Sequence, residues 1–182
     1  MISFVKPAML VLTGPKHVGK SSVGCALREV LGWKFIDTDA LIEEREGLTP
    51  HSLYERGRDI FQKAEAEAIA SLQIAFNAGE GLIVAAGGGL TDNKVALTAL
   101  VKNPSVLFIY LELSAAAAWN RIKNAGTLPA FLNVENPQAF HALLHERRAE
   151  DYKKLARIVI NCENKFPHQI AGEILSQLCV SA

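Results

Sequence analysis

The chain has 182 residues, enough for one domain (1–182) with a sizeable core. Its 19 basic residues balance 19 acidic ones and are mixed along the sequence, so neither a nucleic-acid stripe nor a membrane-surface patch is expected. Three scattered cysteines (Cys25, Cys162, Cys179) offer neither a disulfide framework nor metal-ligand spacing, which fits a reducing, cytoplasmic setting.

The N-terminal apolar stretch contains Lys6 and Pro7 and leads straight into a glycine loop. Cleavage there would destroy the loop, so a signal peptide is rejected. "AMLVLT" (8–13) is the first strand-length run, and "KSSVGCALREVLG" reads as the helix that follows it. Between them, Gly14, Pro15, Lys16, His17, Val18, Gly19, Lys20, Ser21 and Ser22 fit G-x-x-x-x-G-K-[ST], and a strand and a helix are the flanks this motif requires. Glycines let backbone N–H groups converge on phosphate oxygens, and the helix N-terminus adds a favourable dipole. Lys20 supplies a cation to the β- and γ-phosphates, and the Ser21 hydroxyl is placed to ligate Mg²⁺. ATP or GTP binding follows, with His17 read as a solvent-facing member of the loop.

"KFID" (34–37) is the second strand, with Asp37 and Asp39 at its carboxyl end. Ligands of open α/β sheets collect at that end. Residues two apart on an extended segment point the same way, so both carboxylates can reach one site. One suits a metal ion, and the other suits orienting or deprotonating an attacking hydroxyl. Asp39 is equally well placed to cap the helix "ALIEERE". A long helical segment follows, with a glycine C-cap expected at Gly79. The third strand, "LIVAA", runs into Gly87, Gly88 and Gly89, whose amides can approach a ligand closely.

"SVLFIYL" (105–111) is the fourth strand; the apolar stretch from Val106 is broken by Glu112 and is too short to span a bilayer. After the tightly packed helix "SAAAAWNRI", residues 124–138 carry two prolines, a glycine and three asparagines, and form the best candidate for a mobile loop. "ARIVIN" (156–161) is the fifth strand. The runs are continuous rather than alternating, as in parallel strands covered on both faces, and the expected fold class is three-layer α/β with a parallel sheet. Trp33 and Trp119 read as packing residues. His141, His145 and His168 show no ligand spacing.

The glycine loop, "FIDTD" and "GGG" in this order resemble the shikimate kinase family, and later segments extend the likeness over nearly the whole chain. The resemblance makes Arg121 in "WNRI" the adenine contact, Pro167 part of the adenine loop, and Arg148 in "RAEDYKKLA" the grip on the acceptor carboxylate. It makes Asp37 a metal-site carboxylate and Asp39 the residue that orients the acceptor hydroxyl, with Gly87 to Gly89 lining the acceptor pocket. It implies a P-loop nucleoside monophosphate kinase-like fold of strand order 2-3-1-4-5, with a lid at about 123–138. It also implies Mg²⁺ with ATP as co-substrate, a small carboxylated alcohol as acceptor, a monomer, and a place in aromatic amino acid biosynthesis.

Two arginines of that pattern are replaced. F-R-x-x-E becomes "FQKAE", with Gln62 for arginine and Glu65 kept, and Leu128 stands before Pro129 where the lid carries arginine. No Lys or Arg occurs from Asn124 to Gln138. Loss of the first weakens a two-fork carboxylate clamp. Loss of the second removes charge facing the transferred phosphoryl group. Arg58, Lys123 and Arg147 are the candidate substitutes. A same-fold kinase for another hydroxylated substrate, or a catalytically impaired nucleotide-binding homologue, remain the alternatives to a shikimate kinase.

Overall fold

The computed structural model describes residues 9–75, 80–126 and 128–180. Five strands, β1 (Met9–Thr13), β2 (Lys34–Asp37), β3 (Leu82–Ala85), β4 (Val106–Glu112) and β5 (Ile158–Asn161), form one sheet in the order β2-β3-β1-β4-β5. All neighbouring pairs are parallel. The central β1 is buried along its whole length, which is why its sequence is a continuous apolar run. β5, at an edge, alternates buried and exposed residues.

Helices cover both faces. α1 (Lys20–Leu31), α6 (Ala115–Asn124) and α8 (Pro167–Val180) bury Val23, Leu27, Ala118, Ile170 and Ile174 against Leu10, Leu12, Ile83 and Ile109. On the other face α4 (Arg58–Ala75) and α5 (Lys94–Val101) set Ile69, Leu72, Ala96 and Leu100 against Met9, Val11 and Val84. α2 (Thr38–Glu46) and α3 (Pro50–Arg56) add a satellite cluster of Ile42 and Leu53 against Ala64 and Ala68 of α4. α7 (Pro137–Leu155) completes the set and packs along β4.

The five expected strands and their order are all present. The segment after α6 holds a 3₁₀ turn at Ala130–Leu132 with Leu132 buried, so the lid stretch has an anchor of its own. The cap expected at Gly79 lies outside the described residues. Trp33 is a packing residue: its ring lies so close to Gly81 that a Cβ there would stand 1.8 Å from it. Among the described residues, no helix is long and apolar enough to cross a membrane.

Candidate active site

β1 ends at Thr13, and the chain turns through the glycine loop into α1. Gly14 and Gly19 have φ of 142° and 107°, a region costly for any residue with a Cβ, so this turn requires glycine. Lys20 folds back, its Nζ donating to the carbonyls of Gly14 (3.0 Å) and Pro15 (2.9 Å). Burial lowers its pKa to about 8, while Asp39 and Asp37 pull it back up. An amine so placed regains full charge when anionic oxygens join it. Arg121 of α6 donates Nη1 to the carbonyls of Val18 (2.8 Å) and His17 (3.2 Å), fastening the outer side of the loop. His17 is exposed, as expected.

Asp37 terminates β2, and one of its carboxylate oxygens accepts a hydrogen bond from the Ser21 hydroxyl. The other accepts from the backbone N–H of Asp39 at 3.0 Å, so Asp37, and not Asp39, caps α2. β2 ends at Asp37 and α2 begins at Thr38, so the extended alternation does not continue to Asp39. Asp39 therefore sits in the first helical turn, yet both carboxylates line one cleft across the strand–helix junction. The paired oxygens of Ser21 and Asp37 are the donor type a hard divalent cation takes when phosphates complete its shell. Among the described residues, no group of three or more acidic, histidine or cysteine side chains could hold a metal by themselves. Burial raises the pKa of Asp39, Asp37 raises it further, and Lys20 and Lys16 oppose both.

The third wall is the loop after β3. A Cβ at Gly88 would stand 3.2 Å from the backbone nitrogen of Lys16, so the two glycine loops abut. At Gly87 a Cβ would meet Glu65 Oε1 at 2.7 Å, and at Gly89 it would meet Arg148 Nη2 at 3.2 Å. Bulk at any of the three would fill the cleft floor. The cleft, about 490 Å³, is lined by the phosphate loop, Asp37, Asp39, Gly87 to Gly89, Arg148, and Pro129 and Phe131 of the lid stretch. Glu65 is 1% exposed, accepts from Asn93 Nδ2 at 2.8 Å through one oxygen, and leaves the other without a partner. Burial pushes its pKa up to about 7, the Asn93 hydrogen bond notwithstanding.

Lys16, Lys20, Ser21, Asp37, Asp39, Gly87 to Gly89 and Arg148 thus share one cleft, with Arg121 behind the loop. Pro167 opens α8 and is not among the residues lining that cleft. Gln62 does not reach inward as a ligand group: its Nε2 donates to the backbone carbonyl of Asp92 at 3.1 Å. Leu128 is exposed. Of the three candidate substitutes, Arg58 and Arg147 line an adjoining outer recess of about 330 Å³, and Lys123 is exposed and lines none of the recesses around the cleft. The sequence pattern missed two participants. Asp92, three residues past the triple glycine, is paired with Arg147 and Arg148; Phe131 places its ring 5.3 Å from the Arg148 guanidinium. An acidic residue on the same short loop as the pocket glycines was the available signal for Asp92.

A parallel five-stranded sheet whose first βα turn is a phosphate loop, with carboxylates and a second glycine loop across the same crevice, defines a P-loop kinase of small molecules. The sequence model of the shikimate kinase family matches residues 16–179. A shikimate kinase of Sulfurihydrogenibium sp. (strain YO3AOP1) is 35% identical over 170 residues, 93% of this chain and 96% of that protein. One from Moorella thermoacetica is 34% identical over 173 residues, 94% and 95% respectively. The solved structure of shikimate kinase from Acinetobacter baumannii in complex with shikimate superposes with a TM-score of 0.85 at 26% identity, covering 96% of this chain and 94% of that one. The chain belongs to the shikimate kinase family.

Proposed function

We propose that the protein transfers the γ-phosphoryl group of ATP to a hydroxyl of shikimate, a small carboxylated alcohol. The observation that carries this reading is Asp39, a half-buried carboxylate lining the same cleft as the phosphate loop and the triple glycine. Binding alone has no use for a carboxylate of raised basicity facing the loop's cleft. A hydroxyl nucleophile does, because its proton must be accepted as the new P–O bond forms.

The glycine loop and Lys20 hold the phosphates, and Arg121 and Pro167 border the adenine. Ser21 and Asp37 would hold Mg²⁺, which supplies neutralisation of charge on the transferred group when bound. Asp39 orients the acceptor hydroxyl, Gly87 to Gly89 admit the acceptor, and Arg148 faces its carboxylate. With no Lys or Arg from Asn124 to Gln138, Lys16 is the additional positive charge in the cleft beside Lys20 and Arg148, acting electrostatically on both Lys20 and Asp39. The lid stretch, through Pro129 and Phe131, closes the acceptor side against water, which would otherwise compete as nucleophile.

The test is ADP release from Mg²⁺-ATP with and without millimolar shikimate. Release should depend on shikimate and fall at least ~100-fold in Lys20→Ala, given the weight of electrostatic stabilisation in such sites. Release indifferent to shikimate overturns the assignment.

A further inference from the structure

Asp92 holds the guanidinium that faces the acceptor. Its Oδ2 accepts from Arg148 Nε at 3.1 Å and Nη2 at 2.6 Å, while Oδ1 accepts from Arg147 Nη2 at 2.5 Å. The Nε–Nη2 edge of an arginine is one of those that match an incoming carboxylate, so this edge is already taken by an internal one. The aspartate is not loosely held. Gln62 Nε2 grips its backbone carbonyl, Asn93 Nδ2 returns to the Gln62 carbonyl at 2.7 Å, and the Asp92 side chain is only 10% exposed.

The residue that replaces an arginine thus fastens the turn that carries the competing acid. An arginine at position 62 would offer a second fork; glutamine offers none, and an acceptor carboxylate meets a cation whose partner is tethered beside it. A tethered partner competes at an effective concentration in the millimolar range or above (order of magnitude).

We infer that Asp92 sets acceptor specificity: its carboxylate competes with the acceptor's carboxylate for Arg148, so the pocket distinguishes poorly between an acid and its uncharged counterpart. This rests on the acceptor reading of the cleft proposed above. Neutral polyols and esters then lose little here, whereas a site with a free fork would reject them.

The experiment is equilibrium binding of shikimate and of its methyl ester, in the presence of ADP and Mg²⁺, to the wild type, Asp92→Asn and Asp92→Ser. Charge-assisted bonds of this kind correspond to roughly tenfold or more in affinity. Both variants should bind shikimate about tenfold more tightly, with ester affinity and ADP affinity unchanged. Unchanged or weaker shikimate binding in both variants, with ADP affinity intact, would show that Asp92 merely orients Arg148, and the inference falls. Asp92→Ser guards against a loss peculiar to the amide. Because the readout is binding, absence of turnover in a variant that gains affinity sinks the proposed reaction alone; turnover without gained affinity sinks this inference alone.

Discussion

Glu65 illustrates how burial at a single residue sets a pH response. Its pKa lies near 7 in the folded chain, well above the ordinary carboxylate range, because desolvation outweighs the Asn93 hydrogen bond. Between the unfolded and folded values the native state holds a proton that the unfolded state has lost. Stability contributed by this group is therefore present at acid pH and is lost as pH rises through about 7. His141 and His145, lowered mainly by burial, act in the opposite sense below their ordinary value, but they are common to the wild type and a Glu65 variant. Glu65→Gln should consequently flatten the fall in melting temperature between pH 5 and pH 8, by about 5 °C for a chain of this size. Calorimetry at the two pH values checks it. An equal fall in both proteins would mean that Glu65 is ionised in the native state throughout.

At the scale of elements, the acceptor side is held by one short junction. Asn93 caps α5 by accepting from the Ala96 N–H at 3.2 Å, donates to the Gln62 carbonyl and Glu65 of α4, and is 3% exposed. Asn93→Ala removes a cap and leaves one buried and one partly buried acceptor short of a donor, so a loss of about 2–3 kcal/mol is expected in denaturant unfolding. A change within 0.5 kcal/mol would contradict this. Glu65, deprived of the one hydrogen bond that lowers its pKa, should titrate still higher.

β1, β3 and β4 were legible because each is a short continuous apolar run, and the phosphate loop because its glycines have no substitute at φ of 142° and 107°. The pairing of Asp92 with Arg148, |i−j| of 56, was not: contacts at that separation are made by tertiary packing, and no local period announces them. For the same reason Gln62 showed itself in sequence only as a missing arginine, while the structure gives it a partner of its own. The helix cap, offered in sequence as the alternative role of Asp39, falls to Asp37 because the strand–helix boundary, where local patterns are weakest, lies between them.

At the scale of the whole molecule, the sheet order places the ends of β1, β2 and β3 side by side, and most of the cleft hangs from those three ends. β1 delivers the phosphate loop, β2 the two carboxylates, and β3 the triple glycine, while α7 brings Arg148 across the top. This geometry suits phosphoryl transfer between two ligands held in one cleft. Phosphorus NMR of the protein incubated with Mg²⁺-ATP and shikimate tests it most directly. A phosphate monoester resonance should grow in step with ADP, with inorganic phosphate a minor product. Growth of inorganic phosphate alone, or no change in the ATP resonances at millimolar shikimate, would contradict it.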